Sequence, residues 1–232
     1  MYILLTDALT CPRCGPEFGL LVLADRMEER RVIEGRLGCA NCRSAFPIHH
    51  AAADLRVAPS AADESADPPL SGESAAPRPS VGEEDAEAPV RLAALMGIAG
   101  AGGLAMVAGP GARHAAAVSA LVPELEVVAV TERPPAGERA PGVSRLAAGG
   151  GALPFRGGAL RAAALTGGAD DAGLREALRV LAPGARLVVD PAPAGTGERL
   201  RALGAEVLLE QDDVVVARAP GRPVALRYNA VR

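Results

Sequence analysis

Aromatic residues are nearly missing from this 232-residue chain. Tyr2, Phe18, Phe46, Phe155 and Tyr228 make up 2% of it, and there is no tryptophan. That argues against a nucleic-acid surface built by stacking bases on rings. Lysine is absent, so all 24 cations are arginines, and the 28 carboxylates leave a net charge of −4. A generally basic, DNA-coating protein is thereby disfavoured. With so much Ala, Gly and Pro, the absence of lysine reads as a coding bias rather than a function. An export signal is also missing: Ile3-Leu4-Leu5 is interrupted by Asp7 and has no basic leader, so the cytoplasm is the expected location. The uncharged run Leu92 to Ala112 is long enough to span a bilayer. It is mostly Ala and Gly and contains Pro110, so no membrane span is expected.

What is present is a chain 49% apolar, enough for one large domain or two small ones. Residues 1–56 hold all four cysteines. Residues 57–90 hold eight acids against one arginine, six prolines and almost no large apolar side chain. Such a stretch cannot bury enough surface to offset chain entropy, and is expected to be a disordered acidic linker. Residues 91–219 alternate apolar runs, Gly/Pro turns and Ala/Leu/Arg stretches, and 220–232 form a tail. Strands are expected at Leu104–Val107, Glu126–Val130, Leu160–Leu165, Arg186–Val189, Val207–Leu209 and Val214–Ala217. Helices are expected at Ala112–Leu121, Gly173–Leu181 and Thr196–Leu203. Leu174, Ala177, Leu178 and Leu181 recur at helical spacing. This alternation predicts an α/β class with a mostly parallel, doubly wound sheet. The last two runs, joined by Glu210-Gln211-Asp212-Asp213, suit an antiparallel edge hairpin.

Cys11-Pro12-Arg13-Cys14-Gly15 and Cys39-Ala40-Asn41-Cys42 carry the strongest chemical signal. Two residues between thiolates let a tight turn aim both sulfurs at one ion, and two such turns supply four ligands. Gly15 allows the positive φ that such a turn uses. Zinc fits best, with Cys11, Cys14, Cys39 and Cys42 as ligands and two β-like runs, Leu20–Leu23 and Arg31–Leu37, between them. Iron in the same sulfur geometry, or no metal, stays open. A four-thiolate site is closed, so its role should be structural. His49 and His50 would be surplus ligands.

Leu4-Leu5-Thr6-Asp7-Ala8-Leu9-Thr10-Cys11-Pro12-Arg13-Cys14, Glu34-Gly35-Arg36-Leu37-Gly38-Cys39-Ala40-Asn41-Cys42, Phe46-Pro47-Ile48 and Asp54-Leu55-Arg56 together resemble one particular ribbon. It is similar to the small zinc-binding activator subunit of tRNA and protein methyltransferases. Ala51-Ala52-Ala53 replaces the Gly-Ile-Pro tail usual there. The resemblance implies a protein partner, a methyltransferase domain, for residues 1–56.

Further on, Leu104-Ala105-Met106-Val107-Ala108-Gly109-Pro110-Gly111 leads into a helix. A strand, a Gly-rich turn and a helix start make an anion or nucleotide cradle. Glu132 lies just past the second expected strand. Ala152-Leu153-Pro154-Phe155-Arg156-Gly157-Gly158 and the run from Leu174 to Val189 follow. In this order, residues 91–219 resemble a class I S-adenosylmethionine-dependent methyltransferase. The resemblance implies Gly109, Gly111 and Glu132 as cofactor-binding residues, with Glu132 on the ribose. It names no catalytic residue. Several acids of that family are replaced: Ala105 and Val107 stand where the first loop carries one, Ala147–Gly151 has none, and Arg161 follows the Leu-Pro-Phe loop. Unpaired buried polar groups cost about 1–3 kcal/mol each. The departures therefore favour a methyltransferase-like lobe whose S-adenosylmethionine site is weakened or lost and which serves as an adaptor. The alternative is an active S-adenosylmethionine-dependent methyltransferase on an unknown acceptor. Capping or a surface place suits His114, and strand termination explains Asp190-Pro191-Ala192-Pro193. The tail arginines Arg222, Arg227 and Arg232 leave RNA open as a ligand.

Overall fold

A computed structural model describes residues 1–57, 83–98, 100–133, 139–149 and 152–221. The N-terminal part supplies β1 (Thr10–Cys11), β2 (Gly15–Gly19), β3 (Leu21–Glu28), β4 (Arg31–Gly38), β5 (Ala45–His49) and β6 (Ala52–Asp54). Then follow α1 (Glu83–Met96), β7 (Leu104–Ala108), α2 (Ala115–Leu121), β8 (Glu126–Thr131), β9 (Val143–Ala147) and β10 (Leu160–Leu165). The chain continues through α3 (Asp171–Val180), β11 (Leu181–Val189), α4 (Thr196–Ala202), β12 (Glu206–Gln211) and β13 (Val214–Arg218).

Eleven strands form one sheet in the order β12-β13-β11-β10-β7-β8-β9-β6-β5-β4-β3. The six strands from β11 to β6 are parallel, and antiparallel strands extend the sheet at both ends. The expected α/β class and edge hairpin are therefore present. Ala105, Met106 and Val107 of β7 are fully buried, as a central strand covered on both faces must be. One face packs Met106, Val128, Ala163 and Leu187 against Leu174 and Ala177 of α3 and Leu200 of α4. The other packs Ala105, Val107, Val127 and Val188 with Leu92 and Met96 of α1 and Val118 of α2. Asp170 caps α3 by accepting from the Gly173 amide at 2.8 Å.

The two compositional halves share that sheet. Ala52, Ala53 and Asp54 of β6 pair in parallel with Arg145, Leu146 and Ala147 of β9. Leu5, Leu9, Leu37, Phe46 and Ile48 enter the same core as Leu146, Phe155 and Leu160. At the strand entrances Arg31 grips Glu126 at 2.9 and 2.8 Å. Glu126, buried, also accepts from the Ser144 hydroxyl at 2.6 Å, and that hydroxyl accepts from the Tyr2 amide at 2.9 Å. Met1 is buried too, its amine donating to the Val32 and Ala51 carbonyls at 2.9 and 2.7 Å.

α1 begins inside the stretch 57–90 that composition assigns to a linker. Its Glu and Ala residues are good helix formers, and Leu92 and Met96, four apart, bury on the sheet. Residues 58–82 of that stretch lie outside the described residues, as does the tail beyond Gly221. Among the described residues, no helix is long and apolar enough to cross a membrane.

Candidate functional site

The four cysteines converge. Their sulfurs all lie within 4.8 Å of one another, with Cys11 to Cys42 at 3.7 Å and Cys14 to Cys39 at 3.8 Å. A disulfide needs about 2.05 Å. Four thiolates placed tetrahedrally about 2.3 Å from an ion are about 3.8 Å apart. The turns that aim them depend on Gly15 at φ 93°, and the Asn41 amide donates to Cys14 Sγ at 3.4 Å. Burial pushes the Cys11 thiol up to about 12, whereas Ser44's hydroxyl and amide pull Cys42 down to about 6. Four sulfurs at this spacing fit a tetrahedral metal ion, beside which the buried Cys11 would be held as the thiolate. His49 is not part of this cluster; its Nδ1 lies 3.0 Å from Glu34.

The cysteine turn is fastened to the Leu153-Pro154-Phe155 segment between β9 and β10. Thr10 N donates to Pro154 O at 2.9 Å, Arg156 N to Ala8 O at 2.9 Å, and Leu9 bridges Phe155. Behind that segment, Arg179 donates to Phe155 O and Leu153 O at 2.7 and 2.9 Å. Glu176 accepts from Leu153 N at 3.1 Å and from Arg179 Nε and Nη2 at 2.8 Å each. The Arg179 guanidinium holds the Glu176 carboxyl below its usual range, against the opposing effect of burial. A carboxylate depressed in the folded state adds stability above its unfolded value near pH 4.3, and that stability is lost as pH falls through the folded value. Glu176→Gln is expected to cost about 1 kcal/mol at neutral pH and to flatten the acid limb of a stability-versus-pH curve. Denaturant midpoints measured between acid and neutral pH check it; an unchanged limb would contradict it.

The glycine turn lies where β7 meets its neighbours. β8 and β9 follow on one side of β7 and β10 and β11 on the other, so the loops after β7 and β10 diverge at a topological switch point. Gly109 adopts φ 86°, and a Cβ there would sit 2.2 Å from the Thr166 carbonyl oxygen. A Cβ on Gly111 would come within 2.7 Å of the Thr166 side chain. Both glycines are thus required by close packing against Thr166. Their amides are already bonded: Gly109 N donates to Val130 O at 3.0 Å, and Gly111 N to Thr166 Oγ1 at 2.6 Å. The Thr166 hydroxyl in turn donates to Ala108 O at 2.6 Å.

Two hollows flank the turn and share Pro110 and Arg113. One, about 230 Å³, lies between α1 and the ends of β10 and β11; Asp190 is its one acid among the described residues. The other, about 370 Å³, is lined by Ala129, Thr131, Val143 and Arg145, with no acid among the described residues. Glu132 follows β8 as expected, but it is exposed and lines neither hollow. The structure thus joins Gly109 and Gly111 in one turn and leaves Glu132 outside the hollows beside it. His114 accepts from Arg113 Nε at 3.1 Å. Thr166 and Arg113 are the residues that sequence reasoning passes over. The one signal for Thr166 is its place before Gly167-Gly168 at the end of an apolar run.

No family model and no curated protein sequence matches the chain. Among solved structures it is similar to the SpnF cyclase, at 16% identity and a TM-score of 0.46, over 60% of this chain and 82% of that one. It is also similar to geranyl diphosphate C-methyltransferase of Streptomyces coelicolor, at 12% identity and a TM-score of 0.48, over 58% and 80%. A chain from the Haloferax volcanii complex of a methyltransferase activator with a putative methyltransferase gives 13% and 0.45, over 59% and 90%. At these identities and scores the likeness carries nothing beyond the α/β class that the strand order displays.

Proposed function

We propose that this chain is a methyltransferase-like adaptor that has lost S-adenosylmethionine chemistry and carries a structural zinc. The observation behind this reading is the glycine turn, both of whose amides are taken within the protein. S-adenosylmethionine brings a sulfonium and an ammonium. No acid among the described residues lines the hollow beside Gly109 to meet them. Of the residues Gly109, Gly111 and Glu132, the glycines serve packing and the glutamate is solvated.

Cys11, Cys14, Cys39 and Cys42 would hold the zinc, whose chemistry is to lock two turns together, with no open position for a substrate. Residues 1–56 then form a zinc ribbon, and the methyltransferase-like lobe runs to 219 and takes in α1 from Glu83. The ribbon resembles an activator that binds a methyltransferase. Here the strand pair β6–β9 supplies that partner within one chain. A further protein would bind elsewhere on this fused unit, in the cytoplasm, and neither DNA nor a membrane is part of the reading.

Thermal denaturation with S-adenosylhomocysteine tests the loss. A ligand at a hundredfold its Kd stabilises by about 2.7 kcal/mol, which moves the midpoint of a chain this size by several degrees, roughly 5–10 °C. The expected shift at about 1 mM is under about 1 °C. A shift of several degrees would restore the active methyltransferase.

A further inference from the structure

Among the described residues the sheet stops at β3, which pairs with β4 on one side and with no strand on the other. Such an edge presents a row of backbone N–H and C=O groups to any segment that can pair with it, and is usually blunted by charge or by a bulge. The second half of β3 has both: Asp25, Arg26 and Glu28, with register shifts on either side of Arg26. Residues 21–24 have neither. There Val22 lies opposite the buried Leu37 and packs on the core. Leu21 and Leu23 therefore face away from the core, and they are 64% and 49% exposed. Phe18 of β2, just ahead of them, is exposed as well.

We propose that this edge takes the C-terminal tail of a second copy of the chain, with Val224-Ala225-Leu226-Arg227-Tyr228 added as a further strand. Val224 and Tyr228 are strand-favouring residues, and Pro223 precedes them, where a proline does not interrupt pairing. Residues 222–232 carry three arginines and no acid. β3 carries two acids against one arginine, and its Asp25 makes no ion pair among the described residues. Backbone bonds would supply the affinity, and the exposed leucines would receive alternate side chains of the added strand.

Reach makes the donor a second copy. Nine strand spacings of about 4.8 Å separate β13 from β3, roughly 40 Å along the sheet. Tyr228 lies seven residues past Gly221, at most about 25 Å away when fully extended. A molecule's own tail thus falls short of its own β3. β12, the opposite edge, is nearer, but Glu206 and Glu210 there are already held by Arg218 and Arg201 at 2.7 and 2.9 Å. A chain leaving β13 for the far side of β12 would also cross over its own hairpin. Two copies that each lend a tail to the other's edge close as a dimer. This goes beyond the adaptor reading and does not depend on it.

Sedimentation of the full chain is expected to show association that grows between about 10 and 200 μM and weakens with added salt. The double variants Val224→Asp/Leu226→Asp in the tail and Leu21→Lys/Leu23→Lys on β3 should each stay monomeric. Since Leu21 and Leu23 are exposed, the β3 variant should keep the wild-type thermal midpoint. Mixed in equal amounts, the two variants should associate again, because one brings an intact edge and the other an intact tail. A peptide of residues 222–232 should shift the β3 amides of the tail variant with a Kd below about 1 mM, a readout that holds even if the β3 variant misfolds. A full chain that is monomeric at about 200 μM would overturn the proposal. So would association that survives in the tail variant, which would mean that β3 pairs with another β3. Peptide shifts confined to β12, or none at all, would overturn it too.

Discussion

Cys39→Ser is expected to unfold the whole chain, not residues 1–56 alone. A structural zinc contributes about 10–16 kcal/mol in isolated finger peptides, while a whole domain is stable by about 5–15 kcal/mol. On the proposed zinc site, a variant too weak to hold the ion would therefore forfeit a free energy comparable with the entire fold. Its effect is not confined to the cysteine turns, because β6 covers the edge of β9 and Leu5, Leu9 and Phe46 are built into the core shared with Phe155 and Leu160. Without them β9 becomes an open edge and that face of the sheet is wetted. Helical circular dichroism and amide protection in β7 should be lost together, with one midpoint, both in the variant and on chelating the wild type. Protection surviving in β7 and β8 while the first 56 residues exchange freely would contradict this.

Arg31→Met should be strongly destabilising, at about 3–5 kcal/mol. It leaves the Glu126 carboxylate, 8% exposed, with the Ser144 hydroxyl as its one hydrogen-bond partner among the described residues, and frees the Val143 carbonyl that Arg31 also bonds at 2.9 Å. At about 2–4 °C per kcal/mol, the thermal midpoint should fall by roughly 10 °C. Adding Glu126→Leu removes the stranded charge and should recover most of the loss, since a buried ion pair is often replaceable by apolar groups. The cycle then gives a coupling well above about 1 kcal/mol. Additive effects would mean that the pair does not join the two halves.

Strand by strand, the sequence is informative where burial is two-sided. Leu160–Leu165 is expected and found at the same residues, and β7, β8 and β12 differ only at their ends. Periodicity also places α3, although Val180 rather than Leu178 completes its buried face. Val143–Ala147 escapes notice because Ser144 and Arg145 interrupt its apolar run. Those two are buried by their partners Glu126 and the His50 carbonyl, which no local pattern reveals. α1 is masked by the acidic, proline-bearing composition of its first turns. The cysteine spacing announces a four-sulfur cluster because two short turns encode it locally. The glycine turn is less legible for the converse reason. Gly109 and Gly111 suit both a nucleotide cradle and tight packing against Thr166, 55 residues beyond Gly111, and no local pattern decides between them.

That decision is open to direct measurement. In calorimetric titration of the metal-loaded chain with S-adenosylmethionine, a turn closed by Thr166 yields no saturable heat up to about 1 mM. A stoichiometric isotherm with a micromolar Kd would mean that the Gly111 amide is released to a ligand and that the cofactor site survives.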